Sequence, residues 1–152
     1  MMSIEIRRAG AADAEAIAVV HSDARSTAMP WLAALHSRNA TIAYFAEHVL
    51  TQQEVWVAGI RNVVVGFVAL TNNHIDHLYV APANQRQGVG DKLLTMAKEL
   101  RPDGLTLWTF QRNVLARRFY EARGFVAAEF TDGAANEERE PDVLYRWFPS
   151  SP

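Results

Sequence analysis

The sequence predicts one α/β (α+β) domain over residues 1–152, a mixed sheet with helices on both faces. Three observations predict it. The chain is 49% hydrophobic and 21% charged, and its 152 residues are enough to bury a real core. Two β-rich runs, Glu54–Ile60 and Val63–Leu70, stand only Arg61-Asn62 apart and read as an antiparallel hairpin. Further on, a strand-like run Ile75–Val80, a helical pattern Gly88–Leu100 and a strand-like run Leu105–Phe110 form a βαβ unit with parallel strands.

The remaining elements follow in order. Ser3–Arg7 alternates and reads as a short strand. Asp13–Ser26 carries Ala14, Ile17, Ala18 and His21 at helical spacing. Pro30 interrupts, and Trp31–His36 and Thr41–Leu50 read as further helix. The hairpin turn is not the preferred Asn-Gly, so its type stays open. In Gly88–Leu100 an apolar stripe runs through Val89, Leu93, Met96, Ala97 and Leu100. Pro102-Asp103-Gly104 is a turn. Asn113–Arg123 is a helix that Gly124 ends in the C′ position. Val126–Thr131 and Val143–Phe148 are two last strands. Between them lies a polar, mostly acidic loop, Asp132–Asp142. No repeat, linker or low-complexity segment divides the chain.

Composition narrows the function. A net charge of -2 argues against a general nucleic-acid binder, which is usually basic. With no cysteine, disulfides, thiolate metal sites and cysteine nucleophiles are excluded, and no metal site is expected. Met1-Met2-Ser3-Ile4-Glu5 does not open a signal peptide, and no apolar run is long enough to cross a bilayer. The expectation is a cytoplasmic protein without a membrane partner.

The stretch Gln85-Arg86-Gln87-Gly88-Val89-Gly90-Asp91 stands where a strand meets a helix. Glycine in a helix's first turn costs stability relative to alanine, so something other than propensity selects it there. A helix N-terminus presents free N–H groups and a partial positive charge, a natural anion site when no side chain blocks approach. Gly88 and Gly90 remove that obstruction, and Arg86 adds a charge that pairs with phosphate. A tight turn that needs glycine only for its dihedrals explains the same residues. A dinucleotide fingerprint would need glycine where Leu93 stands. A P-loop would need lysine where Asp91 stands.

The stretch Gln111 to Val126 changes that balance. Asn113 and Tyr120 lie two helical turns apart and share a face with Ala116 and Arg117. Leu115 and Phe119 make an apolar pair expected to face elsewhere. Here the sequence resembles the GNAT superfamily of N-acetyltransferases (the GCN5-related fold). Members carry a Gln/Arg-x-x-Gly-x-Gly/Ala turn after the fourth strand, matched by Gln85, Gly88 and Gly90. Further on they carry Asn, a small residue, Tyr-Glu and Gly-Phe, matched by Asn113, Ala116, Tyr120-Glu121 and Gly124-Phe125. Each motif alone is weak; both at this spacing and in this order are a strong signal.

The resemblance implies a mixed, mostly antiparallel sheet of six to seven strands, splayed around acetyl-CoA as donor. It implies that Leu78, Tyr79 and Val80 pair with the pantetheine arm. Arg86, Gln87, Gly88, Val89, Gly90 and Asp91 would hold the pyrophosphate, mainly by backbone N–H groups. Asn113 would bond the arm or a water, and Arg117 would reach a phosphate or stay a solvated helix charge. Tyr120 takes the place of the general acid toward sulfur. Members transfer the acetyl group directly to an amine within a ternary complex.

That chemistry needs a neutral amine, and an alkyl amine at pH 7 is neutral in only roughly one molecule in 2,500. A base or a desolvating pocket must supply it. Some members place a carboxylate on the fifth strand, where Leu105–Phe110 has none and Trp108 stands instead. Others place an acid at the start of strand four. Here that stretch is His74-Ile75-Asp76-His77, and strand alternation puts His74 and Asp76 on one face. His74 or Asp76 is the expected proton relay. The acceptor side falls to Arg25, Met29, Pro30, Trp31 and the acidic loop, whose charge favours a cationic small-molecule or peptide amine. Homodimerisation through the last strands is compatible with the element order. A non-catalytic acyl-CoA-binding module and a plain nucleotide-phosphate binder remain the alternatives.

Overall fold

The computed structural model describes residues 3–149; the first two and last three positions of the expected domain lie outside the described residues. Among the described residues seven strands form one sheet: β1 Glu5–Arg8, β2 Glu54–Ile60, β3 Val63–Thr71, β4 His74–Val80, β5 Leu105–Phe110, β6 Val126–Phe130 and β7 Asp142–Trp147. Their spatial order is β1-β2-β3-β4-β5-β7-β6, and only β4 and β5 run parallel. The mixed, mostly antiparallel sheet is therefore present. The β2–β3 turn puts Arg61 at φ 51° and Asn62 at φ 66°, both left-handed as a type I′ hairpin demands.

Among the described residues five α-helical segments flank the sheet: α1 Ala14–Ala28, α2 Arg38–Tyr44, α3 Leu50–Gln52, α4 Val89–Leu100 and α5 Val114–Glu121. A π-helical segment, Phe45–Val49, joins α2 to α3. The expected helix Trp31–His36 does not form. The helix starts instead at Arg38, where Ser37 Oγ accepts the Ala40 N–H at 3.1 Å. Trp31 leaves helical geometry and stacks on Arg112, whose guanidinium carbon is 3.9 Å from the ring centroid.

Two cores cover the two faces. On one, Ile17, Val20, Phe45 and Val49 pack on Val55, Val57 and Phe67. On the other, Val89, Leu93, Leu94 and Ala97 of α4 and Tyr120 of α5 pack on Val68, Ile75, Leu107 and Tyr145. Each such aliphatic side chain contributes on the order of 2 kcal/mol by leaving water. Gly66 of β3 lets α4 come close. A Cβ there would meet Val89 Cγ1 at 3.0 Å and the Tyr79 carbonyl at 3.1 Å.

Candidate active site

The site begins where the sheet opens. β4 and β5 pair only at His74–Thr106 and Ile75–Leu107 and then diverge. Ala81 N–H donates to Val65 at 2.8 Å, and Tyr79 and His77 stand opposite Phe67 and Ala69. By antiparallel alternation, the backbone groups of Leu78 and Val80 then point away from β3, into the opening. The Val80 carbonyl accepts there from Gln85 Nε2 at 3.2 Å.

A cavity of about 960 Å³ fills the opening. At one end lies the glycine turn. Gly88 caps α4 at φ 88°, and a Cβ there would meet nothing within 4 Å, so its surface is bare backbone. No hydrogen bond among the described residues uses the N–H of Arg86, Gln87, Gly88, Val89, Gly90 or Asp91. Those donors and the helix dipole suit a phosphoryl group. Gly90 has a further reason to be small: its Cβ would stand 3.3 Å from Phe119 Cζ. Of the turn residues, Arg86, Gly88, Gly90 and Asp91 line the cavity. Val89, the first residue of α4, is buried in the core and Gln87 is exposed.

Along the walls lie Leu78, Tyr79, Val80, Asn113, Ala116 and Tyr120. Asn113 Oδ1 caps α5 by accepting the Ala116 N–H at 3.2 Å, which leaves its amide group for a ligand. Tyr120 is buried among Phe119, Phe125 and Tyr145, and its hydroxyl has no partner among the described residues. Burial, and then Tyr79, push its pKa above the ordinary 10.0, so the phenol stays protonated.

The other end lies against α1 and the β6–β7 loop. Arg25 Nη2 donates to Glu138 at 2.9 Å, and Arg112 Nη2 to Glu140 at 2.8 Å. His36 Nε2 lies 2.7 Å from Glu137. Three of the loop's carboxylates thus stand beside basic groups, and the loop is less of a free anionic field than its composition implies.

β4 does not alternate as expected, because its register with β3 shifts between Ala69 and Leu70. Leu70 pairs Ile75 while Ala69 pairs His77, so Asp76 sits in a bulge. Ile75 and Leu78, three residues apart, then join the same core. Asp76 is exposed and lines the cavity with His77. His74 is not among the lining residues; its Nδ1 lies 2.7 Å from Thr106 Oγ1. His77 packs 5.6 Å from His21 and 6.2 Å from Tyr79, ring to ring. Burial, with Arg25 assisting and Asp76 opposing, pushes its pKa down to about 4.

Two other expectations need correction. Leu115 and Phe119 line the same cavity as Asn113 and Tyr120 rather than facing elsewhere, since side-chain-free Gly90 admits the Phe119 ring. Arg117 turns away from the cavity, donating to the Tyr145 hydroxyl at 2.9 Å and standing 3.9 Å from Glu121. Reasoning from the sequence missed Arg123, Phe110 and Thr109, which also line the cavity. No short-range pattern marks them.

Known proteins resemble the chain in sequence and in fold. Residues 51–127 match the family model of the acetyltransferase (GNAT) domain. The chain is 30% identical over 125 residues to YjaB, a peptidyl-lysine N-acetyltransferase of Salmonella typhimurium, covering 82% of this chain and 84% of that one. It is 38% identical over 81 residues to a probable N-acetyltransferase of Mycobacterium tuberculosis, covering 51% of this chain and 47%, about half, of that relative. The solution structure of apo YjaB from Escherichia coli superposes with a TM-score of 0.81 at 25% identity, covering 98% of this chain and all of that one. A PaiA N-acetyltransferase from Thermoplasma acidophilum, solved with coenzyme A, shares the fold with a TM-score of 0.76 at 17% identity over 97% of this chain and 100% of that one. The chain belongs to the GNAT family of acetyltransferases. No helix among the described residues is long and apolar enough to cross a membrane.

Proposed function

We propose that the chain moves an acetyl group from acetyl-CoA directly to a primary amine, with a peptide lysine, the acceptor in the names of two relatives, as that amine. One observation carries the reading. The unpartnered Tyr120 hydroxyl opens into a single cavity that also holds the glycine turn, the free edge of β4 and the α1 wall.

The glycine turn takes the pyrophosphate, and the Leu78 and Val80 backbone takes the pantetheine amides. Asn113 holds the arm through its free amide N–H. The amine enters past Arg25, Asp76 and His77. Its nitrogen attacks the thioester carbonyl carbon, the C–N bond forms and the C–S bond breaks. Tyr120 gives its proton to the departing sulfur and regains one from the pool fed by the amine. That amine proton leaves through Asp76, which lines the cavity, directly or by way of water. His77, held neutral, is a second acceptor on the same wall. His74 stands outside the lining, against Thr106, and takes no part in this relay. Backbone N–H groups of β4 steady the carbonyl oxygen.

Mass spectrometry of a lysine-containing peptide incubated with the protein and acetyl-CoA tests the reading. One acetyl group on the lysine side chain is the expected product. Acetyl-CoA binding without acetylation of any amine offered would favour an acyl-CoA-binding module instead.

A further inference from the structure

We propose that Arg123 is a phosphate ligand for the cofactor, and that Asp91 is the positioning residue that holds it at the glycine turn. The inference rests on the acetyl-CoA reading above.

Arg123 stands two residues past the end of α5, yet its guanidinium lies at the start of α4. Nε donates to Asp91 Oδ1 at 2.5 Å and Nη2 to Asp91 Oδ2 at 2.9 Å. Nη1 donates to the Phe119 carbonyl at 2.9 Å. The guanidinium carbon stands 3.8 Å from the Phe119 ring centroid, and that ring rests against Gly90. Three bonds and a stacked ring fix the group beside the turn, on the wall of the cavity.

A guanidinium has five N–H donors, and three are used. The two left, one on each terminal nitrogen, have no acceptor among the described residues. Their geometry suits phosphate oxygens. Charge points the same way. Asp91 alone would set a carboxylate against an incoming phosphate, and Arg123 cancels it. An ion pair this exposed adds little to folding stability. The side chains are 29% and 56% exposed, so stability alone gives weak reason for the arrangement. Arg86 and Arg123 are the two cations lining this end, since Arg25 belongs to the α1 wall and Arg117 turns away.

Titration calorimetry with CoA and with 3′-dephospho-CoA tests the proposal on wild type, Arg123→Gln and Asp91→Asn. Arg123→Gln is expected to raise the CoA Kd about tenfold, the loss of a charge-assisted contact. Asp91→Asn leaves Arg123 one acceptor where it had two, and the loosened guanidinium is expected to raise the CoA Kd roughly threefold. A loss confined to CoA assigns the 3′-phosphate to Arg123, and an equal loss with both ligands assigns the pyrophosphate. Either supports the proposal. Unchanged CoA affinity in Arg123→Gln, beside a wild type that binds, overturns it alone. So does unchanged CoA affinity in Asp91→Asn, which would leave Asp91 no positioning role. A wild type that binds neither ligand overturns the acetyl-CoA reading as well.

Discussion

Arg25 of α1 and Glu138 of the β6–β7 loop meet at 2.9 Å although 113 residues separate them. Both line the cavity, so this bond joins two of its walls. Arg25 also faces Phe110 at 6.0 Å and reaches the Tyr79 hydroxyl at 3.5 Å. The pair shapes the amine side and lies apart from the glycine turn. Glu138→Gln is therefore expected to raise KM for the amine several-fold and leave KM for acetyl-CoA within about twofold. Steady-state kinetics with each substrate varied in turn separates the two. Equal rises in both would remove Arg25–Glu138 from the amine side.

The two glycines of the turn fail for different reasons when replaced. Gly88 sits at φ 88° with open space around it, so Gly88→Ala is expected to cost about 1–2 kcal/mol of backbone strain. Gly90→Ala has no such strain but pushes Phe119, and with it the Arg123 side chain stacked on that ring. Its expected mark is weaker CoA binding with little change in Tm. Thermal melts beside calorimetry distinguish the two. A Gly90→Ala protein that binds CoA as wild type does would contradict the packing argument.

His21 and His77 should set the acid limb of stability. Burial pushes His21 down to about 3 and His77 down to about 4, while the unfolded chain titrates near 6.5. Below 6.5 the unfolded state therefore binds more protons. Stability is fully present above pH 6.5 and falls as pH drops toward 4, by at most about 1.4 kcal/mol per pH unit per histidine. Asp91 and Glu54, held low by Arg123 and by Trp56 with Arg101, add losses only at lower pH. Denaturant unfolding at pH 7, 6, 5 and 4 reads the slope. His21→Leu should flatten it, and an unaltered slope would rule out His21 as its source.

The catalytic proton path can be divided the same way. Asp76→Asn is expected to lower kcat tenfold or more and to shift the alkaline-rising limb of the kcat/KM profile. His74→Gln should change it little, because His74 bonds Thr106 and does not line the cavity. The reverse ranking in a pH–rate series would return the relay to His74.

The fold was legible because its signals are local. The hairpin turn and the Gly124 stop each lie within a few residues, the βαβ unit is written in three successive short runs, and all are present. So were the glycine turn and the Asn113–Tyr120 face. What alternation misread was β4, because a bulge leaves no mark in His74-Ile75-Asp76-His77 but changes which side chains share a face. The helical wheel misread Arg117 for a related reason: Tyr145, 28 residues on, draws its side chain away. The acidic loop misled through composition, since its partners Arg25, His36 and Arg112 are supplied by distant elements. Arg123 stayed hidden because Asp91 lies 32 residues before it. Long-range pairing decided each of these, and no window of sequence contains it.

The most direct test of the central claim is thiol release from acetyl-CoA in the presence of a lysine peptide, with wild type beside Tyr120→Phe. The hydroxyl has no partner to lose among the described residues, so the variant should fold and bind acetyl-CoA within about twofold of wild type. Amine-dependent release should fall about 100-fold or more in the variant, the usual share of a general acid. Equal release from both proteins would contradict the role given to Tyr120, and no amine-dependent release from wild type would contradict the transferase reading itself.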